Sequence, residues 1–322
     1  MKLNTKRKTF FIIFLLEITF IIILFSFFPQ FVFAGVGSPN VIVKTNLTVG
    51  NVFPELSNVT IENNASTLDL TPSLTRRIYC SGIATDYNSW EDVVNATATF
   101  FDAANSSYSD SNDNNLHYTN YSCSITQDNG DPYRALINCS FDIWYYANPG
   151  PWNCTMRVED KHHKAGFGSD LIDISSLLAL GLPDFIYYGE VNATEVSLEN
   201  ISNVTNYGNV KINLSLNGYG FYNNDGNAMN CTLGSIKNIS IEHEKYNLTT
   251  SHPGVLDLTQ TLTRYANLTS APVVRRYNLE YRQNDLVNEA INSTYWRIYV
   301  PLGVAGTCEG NIVFGATTAP GI

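Results

Sequence analysis

The segment Arg134–Glu159, RALINCSFDIWYYANPGPWNCTMRVE, constrains the fold of this chain more than any other. Ile137, Cys139, Phe141, Ile143 and Tyr145 alternate with Asn138, Ser140, Asp142, Trp144 and Tyr146. That is the period of a β-strand with one buried face. After Asn148-Pro149-Gly150-Pro151 the alternation resumes, with Trp152, Cys154, Met156 and Val158 set against Asn153, Thr155, Arg157 and Glu159. The segment therefore predicts a hairpin whose two cysteines face inward. Each cysteine is flanked by an Asn-x-Ser/Thr acceptor whose Asn and hydroxyl residue face outward.

The amino terminus says where such a hairpin is made. A basic cluster (Lys2, Lys6, Arg7, Lys8) precedes an apolar run from Phe10 to Phe28, then Pro29 and Val32-Phe33-Ala34. Small residues at 32 and 34 predict a signal peptide, residues 1–34, cleaved after Ala34. The competing reading is an uncleaved membrane anchor, against which stands Glu17 in the middle of the run. Loss of four basic residues and one acidic residue takes the formal charge from -10 to -13. An acidic chain is a poor partner for nucleic acid, which needs a positive field against phosphates.

The remaining residues are expected to form two β-sandwich domains, 35–178 and 179–322. Their six cysteines, Cys80, Cys123, Cys139, Cys154, Cys231 and Cys308, are an even count behind a signal peptide and read as three disulfides. Asp128-Asn129-Gly130-Asp131-Pro132 is a hairpin signal centred midway between Cys123 and Cys139. Those two cysteines then stand opposite each other on adjacent strands. Cys80 is left for Cys154, an early strand joined to a late one, the way immunoglobulin-like sandwiches pin their sheets. Cys231 with Cys308 is expected to repeat that bridge in the second domain.

Other strands follow from alternation. Val41–Val49 is a candidate first strand and Val59–Ile61 a second. Ile78, Cys80, Gly82 and Ala84 are expected inward, as are Val94, Ala96, Ala98 and Phe100. Asp86–Asp92 and residues 102–116 read as polar loops, Tyr121–Thr126 as a strand, and Lys161–Ser176 as loop or linker. The second domain begins at Phe185-Ile186-Tyr187-Tyr188. It contains a strand with Val210, Ile212, Leu214 and Leu216 inward and Asn213 outward. Met229, Cys231 and Leu233 form one face after the Asn223–Asn227 turn, and Trp296, Ile298, Val300 and Leu302 form another. Cys308, Ile312 and Phe314 make the last strand. No long stretch of helical period occurs outside the leader.

Seventeen Asn-x-Ser/Thr acceptors are present: Asn46, Asn58, Asn64, Asn95, Asn105, Asn120, Asn138, Asn153, Asn192, Asn200, Asn203, Asn213, Asn230, Asn238, Asn247, Asn267 and Asn292. Composition alone gives about six. An Asn and a hydroxyl residue two places apart share one face of a strand, so acceptors on strands are compatible with burial of what lies between them. Asn95, Asn138, Asn153, Asn213 and Asn230 are expected on outward faces.

Motifs for chemistry are poor. Asp110-Ser111-Asn112-Asp113-Asn114 opens like a calcium loop, but Asn115 replaces the glycine at position six and Tyr121 the glutamate at position twelve. That leaves only a looser calcium site in the 110–115 loop. His243-Glu244-Lys245-Tyr246-Asn247 lacks the second histidine of a zinc-protease helix. Asp160, His162 and His163 are possible metal ligands in a solvated linker. No nucleophile elbow, phosphate loop or dinucleotide fingerprint is found. The expectation is no enzyme, no metal and no cofactor. Trp144, Tyr146 and Trp90 are candidate sugar-stacking aromatics, with cross-strand packing as the alternative. Trp152, two residues before Cys154, takes the place of a tyrosine that closes a corner in immunoglobulin domains.

The leader, the strands that carry Cys80/Cys154 and Cys231/Cys308, and the segments Asn206-Tyr-Gly-Asn209 and Gly306–Phe314 resemble secreted, multiply glycosylated, immunoglobulin-like surface proteins of archaeal cell envelopes. The resemblance implies an all-β, two-domain, non-catalytic protein with a structural or adhesive role at the cell surface. Its partners would be other envelope proteins, glycans or copies of itself, with membrane contact only if the leader is retained. A carbohydrate-binding protein, or a subunit of filaments built by strand addition through residues 41–49, are the alternatives.

Overall fold

The computed structural model describes residues 42–283 and 290–319. It falls into two units, Met1–Gly50 and Asn51–Ile322. The leader, residues 1–34, and Val41 lie outside the described residues. Residues 42–50 are exposed and carry no strand, so the strand expected at 41–49 is not formed. Its alternation has no facing surface to bury: Ile42 is 91% and Leu47 85% exposed.

Nine strands occupy residues 55–174: β1 (Glu55–Ile61), β2 (Thr67–Leu68), β3 (Thr75–Thr85), β4 (Val93–Asp102), β5 (His117–Asn120), β6 (Ser124–Gln127), β7 (Arg134–Trp144), β8 (Gly150–Asp160) and β9 (Ala165–Ile174). One sheet has the order β1-β3-β7-β6 and the other β2-β9-β8-β4-β5. This is the immunoglobulin arrangement, with β1, β3, β7 and β6 as strands A, B, E and D and β4, β8 and β9 as C, F and G. β2 pairs in parallel with β9, at one edge of the second sheet. Ile78, Cys80, Ile137, Cys139, Ile143, Trp152, Cys154 and Met156 fill the space between the sheets, all 0–1% exposed. Trp152 stacks on Phe100 at 4.9 Å and donates from Nε1 to the Asn148 carbonyl at 2.8 Å. Truncating a buried aromatic of this kind costs about 3–5 kcal/mol.

The disulfides are Cys80–Cys154, Cys123–Cys139 and Cys231–Cys308. The first joins β3 to β8 and so crosses between the two sheets.

Several expectations need correction. Arg134–Glu159 is not a hairpin, because β7 and β8 lie in different sheets. Pro149, which lacks an N–H, stands in the connection just before β8, and the chain crosses there from one sheet to the other. Tyr146, expected outward, is buried at the crossing. Val94 is exposed and Val93 buried, since the β4–β8 register shifts between Val93 and Asn95. Tyr121–Thr126 is broken where Asn120 Oδ1 accepts from the Ser122 N–H, and the chain again changes sheets. Ala165–Ile174, taken for linker, is the ten-residue strand β9. It includes glycines in close quarters: a Cβ on the buried Gly166 would lie 2.2 Å from the Pro54 carbonyl oxygen, and one on the half-buried Gly168 2.7 Å from the Val59 side chain.

Residues 180–318 form β10 (Leu180–Gly181), β11 (Asn200–Asn206), β12 (Ile212–Tyr219), β13 (Asn227–Gly234), β14 (Asn238–Ser240), β15 (Glu244–Asn247), helix α1 (Leu258–Arg264), β16 (Ala266–Asn267), β17 (Val273–Leu279), β18 (Ile291–Ile298), β19 (Val304–Glu309) and β20 (Asn311–Thr318). Their sheets run β10-β11-β18-β15-β16, β17-β12-β20 and β14-β13-β19. No described strand of 55–174 pairs with one of 180–318. Asp257 and Gln260 close a capping box at the start of α1.

Here too the phase holds only locally. Ile212, Leu214, Leu216 and Trp296 are buried as expected, but Leu233 and Leu302 are exposed. The expected last strand is two, β19 and β20, separated by Gly310. Cys231 and Cys308 are directly opposed on the neighbouring strands β13 and β19. Their bridge staples one sheet and does not repeat the crossing made by Cys80–Cys154.

Candidate functional site

Ten of the acceptor asparagines are exposed: Asn46, Asn58, Asn64, Asn95, Asn105, Asn192, Asn203, Asn238, Asn267 and Asn292. Asn120, Asn138, Asn153, Asn200, Asn230 and Asn247 are half-buried. Asn213 departs from the expected outward phase. It is buried, and its Oδ1 accepts from the N–H groups of Tyr277 and Asn278 at 2.8 and 3.1 Å. The β12–β17 register shifts next to it, between Ile212 and Leu214, and the amide fills the gap in the ladder.

The sugar-stacking candidates serve packing. Trp144 stacks on Tyr146 at 5.6 Å, and Arg282 lies over the Tyr146 ring at 5.0 Å. Trp90 is half-buried against the first core. In the 110–115 loop, Asp110 Oδ2 accepts from the Ser106 hydroxyl and the Ser107 N–H, and Asp113 Oδ1 from the Asn115 N–H. These carboxylates brace their own turns. His243 lies in a 3-10 turn and Glu244 begins β15, so the zinc-helix likeness has no helix beneath it.

Two groups of buried polar residues stand out. The first lies at one end of the immunoglobulin sandwich, between the loop that joins strands B and C and the turn that joins F and G. Asp86 and Asp160 are fully buried and Asp92 is 7% exposed. Asp160 Oδ1 accepts from the N–H groups of His162 and Lys164, each at 2.8 Å, and Oδ2 from the Asn51 amide at 2.6 Å. The Lys161 N–H donates to the Asp92 carbonyl at 3.0 Å, which ties the turn to the loop. Asp92 Oδ2 has no hydrogen-bond partner and lies 3.9 Å from His162 Nδ1. Asp86 Oδ2 and Asn51 Oδ1 are likewise buried without a partner. Burial pushes the Asp86 carboxyl up; the Asn88 N–H opposes this, and repulsion from Asp92 and Asp160 adds to it. Burial also raises Asp160, but the hydrogen bonds from Asn51, Lys164 and His162 outweigh it and hold it below its ordinary value. Sequence reading singled out Asp160, His162 and His163. His163 instead pairs with Glu159, and Asp92 takes its place.

The second group lines a cavity of about 230 Å³ in the second half, beside Phe185, Tyr188, Ser202, Met229, Glu244 and Phe314. Glu244 is 1% exposed, and its Oε1 accepts from the Tyr188 hydroxyl at 2.9 Å. Its Oε2 and the Ser202 hydroxyl have no partner. Burial pushes the Glu244 carboxyl up to about 7, against the opposing hydrogen bond from Tyr188. Nothing in the local sequence marks Glu244 as buried.

No family model and no curated protein matches the chain. Among solved structures it is similar to one from a chaperone–tip adhesin complex of CFA/I fimbriae, at 11% identity and a TM-score of 0.29 over 83% of this chain and 84% of that one. It is also similar to native E. coli alpha-2-macroglobulin, at 8% identity and a TM-score of 0.26, covering 82% of this chain and 16% of that one. The major pilin subunit of Bacillus cereus is a third, at 8% identity and a TM-score of 0.24 over 72% and 69% of the two chains. Likeness this distant carries no argument about what the chain does.

Proposed function

We propose that this chain is an exported, non-catalytic glycoprotein with a structural or adhesive role in the cell envelope, of the archaeal type its sequence resembles. In this reading the leader, residues 1–34, is cleaved and the chain divides near residue 178 into two sandwiches. The observation that carries the reading is the state of the cysteines: all six are paired, and Cys80–Cys154 is built into the middle of a core. Such bridges persist in oxidising compartments and are rare where thiols are kept reduced. The exposed acceptor asparagines fit the same compartment, as bulky hydrophilic groups at those positions displace no packing. Partners would be envelope proteins or glycans.

The test is fractionation of the native cells, with intact mass before and after deglycosylation. The expected result is an envelope-associated protein, heavier than its polypeptide and free of titratable thiols. A cytoplasmic protein of unmodified mass with free thiols overturns the reading.

A filament subunit is the second reading, favoured by one observation. Ile42, Val43, Leu47 and Val49 are 71–91% exposed on a segment that pairs with no strand. An unpaired apolar segment of this kind suits addition to a sheet edge of another copy. Deleting residues 41–49 should then abolish self-association in light scattering; a wild-type protein that stays monomeric at high concentration removes the idea.

A further inference from the structure

We propose that the end of the first sandwich formed by the 86–92 loop and the 160–164 turn binds a divalent metal cation through Asp92, Asp160 and His162. One ligand atom from each of the three lies within 4.8 Å of the others. Donors around a single ion stand no further apart than twice the bond length, roughly 4.6–5.2 Å for calcium–oxygen bonds. The three are therefore within the span of one ion without rearrangement of the backbone.

An independent observation points to the same place. Asp92 is 93% buried, and its Oδ2 faces His162 Nδ1 across 3.9 Å with no hydrogen bond from any group. A second carboxylate oxygen, Asp86 Oδ2, is buried unpartnered in the same loop. Burying a carboxylate is costly unless a donor or a cation compensates it. Against the three carboxylates of Asp86, Asp92 and Asp160 stands Lys161, whose Nζ lies 3.6 Å from Asp92 Oδ1 on a side chain that is 55% exposed. A lysine so placed is largely screened by water. A bound cation supplies the missing charge.

The frame is rigid. Asp92 is held at the entrance to β4 and Asp160 at the end of β8, two neighbouring strands of one sheet. The Lys161 N–H fastens one to the other through the Asp92 carbonyl. Asp160 keeps its Oδ1 for its own turn, and Oδ2 looks toward the Asn51 amide. Reorienting that amide would present its unpartnered Oδ1 to a cation. Oxygen donors predominate, and the imidazole sits at the solvent edge with its side chain 62% exposed. That donor set favours calcium over zinc.

The test uses the full chain, stripped with chelator and titrated separately with calcium, manganese and zinc while thermal unfolding is followed. A ligand that binds only the folded state raises Tm in a saturable way. The expected result is a rise of several degrees that saturates at millimolar calcium and is lost in Asp92→Asn. Weakening of the calcium effect is expected in His162→Ala, and its full retention there overturns the assignment of His162 as a ligand. A rise seen only with zinc or manganese, and lost in His162→Ala, identifies the same site with the imidazole as a full ligand. Terbium luminescence provides a readout on the unaltered acidic groups, because Trp90 lies two residues from Asp92: emission displaced by calcium and lost in Trp90→Phe supports the site. If no ion shifts Tm and terbium gives no sensitised emission, or if Asp92→Asn responds like the wild type, the proposal is overturned.

Discussion

The side-chain amide of Asn209 donates to the carbonyl oxygen of Ala147 at 3.0 Å, a contact between residues 62 apart in sequence. The same Nδ2 donates to the Ser175 carbonyl at 3.1 Å, and Oδ1 accepts from the Leu177 N–H at 2.6 Å. Asn209 is fully buried. One side chain thus ties the β7–β8 crossing to the connection that leads out of β9 and to the approach to β12. Gly208 makes this possible, since a Cβ there would lie 2.1 Å from the Leu177 carbonyl oxygen.

Asn209→Ala removes three hydrogen bonds, one to the buried Ala147 carbonyl and two to the half-buried Ser175 carbonyl and Leu177 N–H. Each unsatisfied group costs about 1–3 kcal/mol, so a loss of about 3 kcal/mol is expected in urea unfolding. Faster proteolysis within 175–183 should accompany it. Unchanged stability would show that the junction is held by something else.

Removing bridges in pairs should cost different amounts. The Cys80–Cys154 loop spans 74 residues and the Cys123–Cys139 loop 16. In the chain-entropy model the first contributes about 4.5 kcal/mol and the second about 3 kcal/mol. The Cys80→Ala/Cys154→Ala variant also loses packing between the sheets, so it should have the lower Tm. Equal Tm values for the two double variants would contradict this account.

Glycan mapping of the natively produced protein should find Asn213 unmodified. Its amide is buried and occupied by two backbone N–H groups, so a glycan there would have to break the β12–β17 contact. Exposed Asn64, Asn95, Asn238 and Asn292 are the expected carriers. Full occupancy of Asn213 in folded protein would be incompatible with the structure.

Stability should fall as pH rises from about 4.5 to about 7, through Glu244. Its carboxyl has an ordinary value of 4.5 and is pushed up to about 7 by burial. In that window the unfolded chain has released a proton that the folded chain retains, so folding is favoured less as pH rises. The contribution is fully present below 4.5 and lost above the raised value, on the order of 3 kcal/mol. Glu244→Gln should flatten this slope in urea titrations at pH 5 and pH 8. An unchanged slope would mean that the carboxyl is ionised when folded.

Alternation was legible along β3, β7 and β8, whose buried faces are made of apolar side chains. Ile78, Cys80, Ile137, Cys139, Cys154 and Met156 all face the core as their period predicts. It failed at β9, where the Pro54 backbone lies against Gly166 and the Val59 side chain against Gly168. A glycine there reads as a linker in sequence, although it marks close approach in space. At Asn213 the expected outward phase failed, because the amide fills a defect in the ladder.

The acidic site was half legible. Asp160 and His162 were visible as possible ligands, while Asp92 read as part of a polar loop. Its role comes from the pairing of β4 with β8, which brings residues 68 apart in sequence to one end of one sheet.

By itself the sequence determined the inward faces of β3, β7 and β8, where most turns fall, and that the chain is all-β. Those properties are local, set by a period of two and by the conformational limits of proline, glycine and asparagine. Tertiary structure alone decided that β7 and β8 join opposite sheets and do not pair as a hairpin. A strand's inner face is apolar whichever neighbour it meets, so the identity of the neighbour is settled only when the whole core closes.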